Sequence, residues 1–427
     1  MSMRAIGLGF LVNCCFVILT FLFTASSVNG QTWEVFDMAN AGLPSNTVNA
    51  FAHEDNGTTW VGTDWGLCKY DGSTWEVFQV DNSDIPENDV RALALDDQNR
   101  LWVGFFTQGL SVYDGVSWQH FNMTNSPLPT MTVRNIVFAA DGFGWLSTAD
   151  GVVRTDLSDW RIYNDSETSY DNLILPGNNI SDIAIRNDGL VCVGTLNAGF
   201  VYLTDTLVRV FSTTTTGLPD NTALGVAIDS NGERWASNPC GGVLHNFGDY
   251  VNGFWSQYYS SNSSIPSNSL NDIIIDGQDR KIIATQQAGI AILSTNDTWE
   301  VFNMANSGLP DNVVNQLSFC TDGSIWVGTA SGGAVRWDVA TSLSAVEAPR
   351  AEFEIYPVPA TTELNIRAVG VNRLDNYRVT DATGSVVLTG RVTGNGGMIS
   401  VESLESGVYV FQIGQDNSLR SKHFIVL

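Results

Sequence analysis

The sequence is short of basic residues. It contains 20 lysines and arginines against 45 aspartates and glutamates, which gives a net charge of −25. An acidic surface of this kind repels phosphate backbones and anionic membranes, so nucleic acid is not expected as a partner. Hydrophobic residues make up 44% of the chain and charged residues only 15%, a composition typical of a folded protein.

Histidine and cysteine are also scarce, and neither is clustered. The sequence separates the histidines widely: His53, His120, His245 and His423. Beyond the N-terminal segment, no Cys-x-x-Cys spacing occurs among Cys68, Cys192, Cys240 and Cys320. A zinc site or a Ser-His-Asp arrangement is therefore not indicated, and we predict no catalytic residue, no metal and no cofactor. The four cysteines are predicted to be free, buried thiols, with one disulfide as the alternative.

A long apolar run occurs at the N-terminus. Arg4 precedes a segment from Ile6 to Phe23 that is apolar apart from Asn13, and small and polar residues follow up to Gly30. This order predicts a secretory signal peptide over residues 1–30, cut before Gln31. The alternative is an uncleaved anchor helix, since about 18 apolar residues just reach spanning length. We expect cleavage, and hence no permanent membrane span.

Glycine and tryptophan are abundant, with 40 and 13 residues, and the chain is repetitive. A Leu-Pro or Ile-Pro pair occurs seven times, and a Trp-Val-Gly-Thr segment or a relative begins 16 residues after each proline. The repeat period varies from 42 to 47 residues, yet this internal spacing is constant. Such a pattern indicates two rigid paired strands in each unit. The seven segments begin at Trp60, Trp102, Trp145, Cys192, Trp235, Ile282 and Trp326.

Each unit is predicted to form four strands. The first alternates in polarity, as in Val90–Leu95, and leads into a turn rich in Asn-Gly or Asp-Gly, for which we expect type I′ geometry. The second strand is the Trp-Val-Gly-Thr segment. A glycine opens the third strand, and the fourth carries Trp-x-x-Phe or a relative, as in Trp75–Phe78.

The two ends of the repeat array predict a closed ring. The seventh unit stops after Asp338 without a Trp-x-x-Phe of its own, while an orphan copy, Trp33–Phe36, stands before the first unit. This N-terminal strand can complete the last blade, which removes free sheet edges. We therefore predict an all-β fold with a seven-bladed β-propeller over residues 31–340.

The unit resembles the two-component regulator propeller repeat, in which Leu-Pro-x-Asn-x-Val leads into Asp-x-x-Gly-x-x-Trp-Val-Gly-Thr and Gly-Leu-x-x-Tyr. Leu309–Val314, Trp326–Thr329 and Gly333 match that pattern, while Met131 and Asn238 depart from it, as do Cys192 and Ile282. The family is best known as sensor modules of hybrid histidine kinases. No kinase segment is recognised here, so signalling by that route alone is not expected. The recurring asparagine is predicted to hydrogen-bond its own loop at Asn46, Asn88, Asn178, Asn221, Asn268 and Asn312.

A second domain is predicted at the C-terminus, after a linker over residues 341–350. Short alternating strands over residues 351–427 suggest a small Ig-like β-sandwich. Tyr356–Pro359, Leu404–Tyr409 and a basic residue near the end resemble the C-terminal sorting domain of the type IX secretion system. The resemblance implies a Gram-negative bacterium, the type IX machinery as a partner, export to the outer cell surface or the medium, and removal of this domain.

The candidate site lies where the units differ. In a propeller, the loops into the first strand (here the blade-linking loops) and the loops between the second and third strands (the middle loops) share one face, around the channel mouth. The middle loops vary most, and their aromatic and amide residues suit a sugar, whose ring faces stack and whose hydroxyls hydrogen-bond. The predicted ligand-binding residues are Trp65, Phe105, Phe106, Gln108, Asn197, Asn238 and Gln287. The alternative is that these rings pack on neighbouring blades.

These observations predict a secreted or cell-surface binding protein without catalysis, with a glycan or a protein as its ligand. One alternative is a propeller lyase or hydrolase, since some seven-bladed propellers are lyases that use a channel histidine and a metal. The other alternative is a passive surface or adhesin component.

Overall fold

The structure is a computed structural model. It describes residues 25–28, 31–166, 170–186, 189–204, 207–216, 218–247, 254–338, 352–356, 358–369, 376–381, 385–391, 396–413 and 420–426. The predicted linker and most of the predicted signal peptide lie outside these residues, so the domain boundaries stay predictions.

Seven antiparallel sheets form the blades of a β-propeller, as predicted. Blade 1 consists, from the channel outward, of Val48–His53, Thr59–Thr63, Gly66–Tyr70 and Trp75–Phe78. Blade 2 consists of Val90–Leu95, Leu101–Phe105, Leu110–Tyr113 and Trp118–Phe121. Blade 3 consists of Val133–Phe138, Gly144–Thr148, Gly151–Thr155 and Trp160–Tyr163. Blade 4 consists of Ile180–Ile185, Val191–Thr195, Phe200–Leu203 and Val208–Phe211.

The remaining blades follow the same order. Blade 5 consists of Val226–Ile228, Arg234–Asn238, Gly242–Phe247 and Phe254–Tyr258. Blade 6 consists of Leu270–Ile275, Lys281–Thr285, Ile290–Leu293 and Trp299–Phe302. Blade 7 takes three strands from the end of the array, Val314–Phe319, Ile325–Thr329 and Ala334–Asp338. A short 3-10 turn, Tyr170–Asn172, lies in the loop between blades 3 and 4.

The outer strand of blade 7 comes from the N-terminus, as predicted. Gln31–Phe36 pairs antiparallel with Ala334–Asp338, and the stacked rings of Trp33 and Trp337 have centroids 4.6 Å apart. Phe36 is fully buried and packs against aromatic rings of blade 1. The closing strand therefore joins the last blade to the first. Ala25–Val28, inside the predicted signal segment, pairs with its outer edge.

The core lies between the blades. The second strand of every blade is buried along its whole length, because a neighbouring blade covers each face. One cluster, for example, joins Trp326 of blade 7 to Val61 and Cys68 of blade 1. This stacking accounts for the apolar Trp-Val-Gly-Thr segment.

The hairpin turns after the first strands differ from the prediction. Type I′ turns need positive φ at two residues, but in the Asn56-Gly57 pair only Gly57 has it, at 91°. The N–H of Gly57 donates to the carbonyl of Glu54, and Glu54 N–H donates to the carbonyl of Thr58. The loop is therefore a turn followed by one left-handed residue, the G1-bulge arrangement that also favours glycine.

The C-terminal region forms two further sheets around a core of its own. One sheet contains three strands: Glu352–Tyr356, Glu363–Val369 and Gly396–Ser400. The other contains four strands: Val386–Arg391, Asn376–Asp381, Gly407–Ile413 and Arg420–Val426. Leu364, Ile366 and Ile399 of the first sheet meet Val379 and Phe411 of the second in one buried cluster. This is the predicted small sandwich.

Three of the four cysteines match their prediction. Cys68, Cys192 and Cys320 are buried thiols. Cys240 is free but exposed, because it lies in the middle loop of blade 5. None of the described segments forms a helix that is long and apolar enough to cross a membrane.

Candidate functional site

The blade-linking and middle loops meet on one face of the ring, as predicted. In six blades the N–H of the glycine that opens the third strand donates to a carbonyl of the following blade-linking loop, at 2.7 to 3.0 Å. These glycines have positive φ, and a Cβ at Gly199 would collide with the carbonyl oxygen of Phe211. The pairs are Gly109 with Met131, Gly151 with Asn178, Gly199 with Asn221, Gly242 with Asn268, Gly289 with Asn312, and Gly333 with Asn46.

The recurring asparagine is structural, as predicted. Its Oδ1 accepts a hydrogen bond from the backbone N–H of a residue earlier in the same blade-linking loop, at 2.7 to 2.9 Å. Asn88, for example, accepts from Val80, and Asn312 accepts from Met304. The side chain thereby closes the loop and leaves the face to other residues.

Two of the predicted aromatic residues are exposed on this face. The side chain of Trp65 is 61% exposed and that of Phe106 is 47% exposed. Their backbones are held in place, since Trp65 accepts a hydrogen bond from Gln79 and Phe106 accepts one from Thr132, both at 2.8 Å. The rings lie in adjacent blades and are available for contact with a ligand.

Phe105 and Asn238 are not exposed, and their placement in a ligand-contacting loop was wrong. Each is the last residue of a second strand and is fully buried. Both occupy the threonine position of Trp-Val-Gly-Thr. In five other blades that threonine hydroxyl donates to a carbonyl across the middle loop. The side chain of Asn238 closes its middle loop in a similar way, because its Oδ1 accepts hydrogen bonds from the N–H groups of Cys240 and Gly241. Phe105 instead packs into the core between blades 1 and 2.

The three other predicted amides lie in middle loops of separate blades. Asn197 and Gln287 are exposed, and Gln108 is half-buried. Gln108 shares a blade with Phe106, while Asn197 belongs to blade 4 and Gln287 to blade 6. Of these three amides, only Gln108 therefore lies in the same middle loop as one of the exposed rings.

The central channel contains a polar cavity of about 140 Å³, lined by the first strands. In six of these strands the second residue lies at a β-bulge. Five of the bulge residues donate to a carbonyl of the next blade or, for Ser181, of the loop that leads into it, which links the blades around the channel. They are Asn49, Arg134, Ser181, Asn271 and Asn315.

Arg91 is the sixth bulge residue, and its contacts differ. Its guanidinium pairs with Asp89 at 2.7 Å and lies 5.1 Å from the centre of the Phe106 ring. Burial, and then the charge of Arg91, lower the pKa of the Arg134 guanidinium. Two arginines thus share the channel next to an exposed ring. Sequence reasoning missed them, although a comparison of the bulge positions across the units would have found the two cations.

Two buried aspartates also line the channel. Asp182 accepts from the N–H of Val226 at 2.7 Å, and Asp272 accepts from that of Leu317 at 2.8 Å. Each carboxylate thereby binds the first strand of the next blade. Burial, with a smaller effect of Asp272, raises the pKa of Asp182 to about 7, and burial raises the pKa of Asp272 to about 6.

The histidines have structural partners. His53 contacts Thr59 and Ser318 at 3.1 Å, and burial lowers its pKa to about 4. His245 contacts Glu233 at 2.8 Å and stacks on Trp235. Among the described residues, no three histidine, cysteine or acidic side chains are grouped so that they could hold a metal ion.

Comparison with known proteins supports a propeller of the regulator type with a sorting domain. Residues 354–427 match the family model of the secretion system C-terminal sorting domain, and residues 84–107 match that of the two component regulator propeller. Both resemblances found in the sequence are confirmed. No curated protein matches the chain.

Three solved structures show the same fold. The extracellular domain of a hybrid two-component system from B. thetaiotaomicron matches 94% of this chain with 16% identity and a TM-score of 0.63. PorZ, a surface component of the type IX secretion system of Porphyromonas gingivalis, matches 92% with 18% identity and a TM-score of 0.58. This chain spans 61% and 60% of those two structures. A virginiamycin B lyase from Staphylococcus aureus matches 72% of this chain and 99% of its own length, with 12% identity and a TM-score of 0.58.

The sorting domain defines where the protein goes. A type IX sorting domain interacts with the secretion machinery, and it indicates secretion to the cell surface. These matches are consistent with a surface protein whose propeller resembles those of two-component regulators.

Proposed function

We propose that this chain is a non-catalytic binding protein of the cell surface or medium, and that it binds a glycan at the channel mouth. The observation that carries the proposal is the exposure of Trp65 and Phe106 in adjacent blades. The middle loops of the five other blades contain no aromatic residue, so the repeat does not require a ring there. Exposed rings that the fold does not need often mark interaction sites.

The groups around the rings suit a sugar. Apolar ring faces of a sugar stack on Trp65 and Phe106, while hydroxyl groups hydrogen-bond to amides and guanidinium groups. Gln108 shares a blade with Phe106, and the guanidinium of Arg91 lies beside that ring. A protein ligand at the same site is the alternative that a binding screen distinguishes.

The test is a screen of the secreted protein on a glycan array and a protein-partner array, followed by affinity measurements. Trp65→Ala and Phe106→Ala should each weaken binding of a selected ligand by about 1 to 3 kcal/mol, or roughly 5- to 150-fold. Val116→Ala is the control, since Val116 is 89% exposed but lies between the third and fourth strands, on the opposite face. Unchanged affinity in both ring variants would exclude the site.

The proposal extends to the fate of the sorting domain, which we take to be removed after export. Truncation after Arg350 should trap the propeller in the periplasm, because the machinery then lacks its recognition domain. Fractionation and immunoblotting measure this, with the full chain as the control. Normal amounts of the truncated protein at the surface would contradict the proposal.

A further inference from the structure

Two arginines lie in the wall of the central channel, in adjacent blades. Arg91 and Arg134 occupy the β-bulge of the first strand in blades 2 and 3, and both line the channel cavity of about 140 Å³. The bulge residues of four other blades are neutral. The cations are therefore a local departure from the repeat. The neutral bulge residues are Asn49, Ser181, Asn271 and Asn315.

The fold needs only a hydrogen-bond donor at this position. Nη1 of Arg134 donates to the carbonyl of Ile180, the first residue of the first strand of blade 4, at 3.0 Å. Asparagine makes the equivalent bond in three other blades, as Asn271 does to Val314 at 2.8 Å. Within the described residues, Arg91 makes no bond of this kind. The link between blades therefore does not explain the positive charges.

Both guanidinium groups keep N–H donors for another partner. Nε and Nη2 of Arg91 face the carboxylate of Asp89 at 2.7 Å, and no described residue contacts its Nη1. Arg134 has the Ile180 carbonyl as its acceptor, and no described carboxylate pairs with it. Burial, and then the charge of Arg91, lower the pKa of Arg134. An anion beside the two groups would remove this repulsion between like charges.

The negative charges of the protein do not exclude an anion here. The net charge of −25 acts mainly from the surface, where physiological salt screens it beyond about 8 Å. Asp182 and Asp272 line the same cavity, but their carboxylates accept backbone N–H groups, and burial raises their pKa values to about 7 and 6. Besides burial, the charge of Arg91, and not that of either aspartate, shifts the pKa of Arg134. The arginine side of the cavity therefore stays cationic.

The cavity adjoins the proposed glycan site. The guanidinium of Arg91 lines the cavity and also lies 5.1 Å from the centre of the exposed Phe106 ring. A sugar ring on Phe106 therefore has its substituents next to Arg91. A polar cavity of about 140 Å³ has room for a carboxylate and a few water molecules, but it is small for a whole oligosaccharide.

We propose that the channel cavity binds the carboxylate of an acidic sugar through Arg91 and Arg134. The inference rests on the proposed function and adds to it that the glycan contains a uronic acid, whose ring contacts Phe106 and whose carboxylate enters the channel. Guanidinium groups present planar, paired N–H donors that match the two oxygens of a carboxylate. A free carboxylate such as acetate has the same chemistry, and the test separates the two sources.

The first test compares acidic sugars with their neutral counterparts. Calorimetry at pH 6 measures binding of the full chain to a panel of uronic-acid oligosaccharides and to the same panel after carboxyl reduction, which turns each carboxylate into an alcohol. At least one acidic member should bind about tenfold more tightly than its reduced form, and added salt should weaken it. No acidic binder, or equal binding of acidic and reduced forms, would overturn the proposal. Acetate that binds as tightly as the sugar would also overturn it.

The second test removes the charge but keeps the link between blades. Arg134→Asn places in blade 3 the residue that makes this link in blades 1, 6 and 7, so the variant should melt as wild type does. It should bind the acidic sugar roughly 10- to 100-fold more weakly, whereas Arg134→Lys should retain part of the affinity. Arg209→Asn removes an exposed arginine from the outer strand of blade 4 and is the control. Unchanged affinity in Arg134→Asn would overturn the proposal.

The variants also separate this inference from the proposed function. If Phe106→Ala weakens acidic and reduced sugars equally while Arg134→Asn changes neither, the glycan site at the mouth stands and the channel carboxylate is wrong. If Arg134→Asn weakens binding of the acidic sugar while Trp65→Ala and Phe106→Ala bind as wild type does, the carboxylate site stands and the aromatic site is wrong.

Discussion

The blade framework and the loop face differ in what the fold requires of their residues. In the framework the same position finds the same partner in blade after blade, as the third-strand glycines and the loop asparagines show. On the loop face, Trp65 and Phe106 are held through hydrogen bonds of their backbone carbonyls, and the side chains of the middle loops differ from blade to blade. A side chain without a repeated partner is free to serve binding, and changes there should leave stability intact.

The distinction between the blade framework and the loop face would fail most clearly if the closing strand were not needed for folding. Deletion of Gln31–Met38 should remove the outer strand of blade 7 and the buried rings of Trp33 and Phe36, and the protein should fail to fold or should aggregate. Circular dichroism and size-exclusion chromatography measure this. A chain that begins at Gln31 and lacks Ala25–Val28 is the control. Unchanged melting and a monomeric state after the deletion would show that ring closure is not needed.

Two adjacent phenylalanines test the comparison within one blade. Phe105→Ala should lower the free energy of unfolding by about 3 to 5 kcal/mol, because it leaves a cavity in the core. Phe106→Ala should change it by less than about 0.5 kcal/mol, since its ring is exposed. Urea denaturation measures both values. Similar losses for the two variants would mean that Phe106 belongs to the framework.

Asp96 lies six residues before Trp102, the tryptophan of the second strand. Its carboxylate should contribute less to the free energy of unfolding than a buried core ring does, but more than a surface charge. Asp96 accepts from the indole N–H of Trp102 at 3.0 Å and from Arg100 at 2.6 Å. Asp96→Ala should lower the free energy of unfolding by about 2 to 3 kcal/mol, because a buried donor loses its acceptor. Asp97→Ala, an exposed neighbour, is the control. Equal stability of the two variants would contradict a structural role for the indole–carboxylate pair.

The channel aspartates should give an effect of a different kind, a dependence of stability on pH. The pKa values of Asp182 and Asp272 are raised to about 7 and 6, so the folded protein retains protons that the unfolded chain releases near pH 4. The stability they contribute is full below about pH 4 and is lost as the pH rises through about 6 to 7. Between these limits the loss approaches about 1.4 kcal/mol per pH unit for each group.

The double variant Asp182→Asn/Asp272→Asn should lack this loss, so the difference in free energy of unfolding, variant minus wild type, should be more positive at pH 8 than at pH 5. The difference between the two proteins isolates the aspartates, because His53, with its lowered pKa, changes stability in the opposite direction as the pH falls. Asp84→Asn, an exposed change, is the control. A wild-type pH dependence in the double variant would contradict the assignment.

The fold could be predicted because its signals recur. Seven proline-to-tryptophan spacings and one orphan Trp-x-x-Phe fixed the number of blades and their closure, and the Asn-Gly pairs located the hairpins. The prediction of type I′ turns was wrong, because a pair such as Asn56-Gly57 suits either a type I′ turn or a single left-handed glycine.

The candidate site was predicted only in part, because variation has two causes. Trp65 and Phe106 vary because nothing in the fold constrains their rings, whereas Phe105 and Asn238 vary because each replaces a structural threonine in its own way. Arg91 and Arg134 were missed since they lie within alternating strands, where a β-bulge turns them toward the channel. Burial and hydrogen-bond partners distinguish the two causes of variation, whereas sequence variation alone does not.

The origin of the last outer strand fixes the order of events during export. The segment Gln31–Phe36 is made near the beginning of the repeat array, and its partner Ala334–Asp338 is made at its end. A chain that crosses a membrane from its N-terminus therefore delivers the closing strand first and its partner last. Contacts so distant in sequence form slowly and at high entropic cost. The propeller consequently reaches its closed state only after all seven units are on the same side of the membrane.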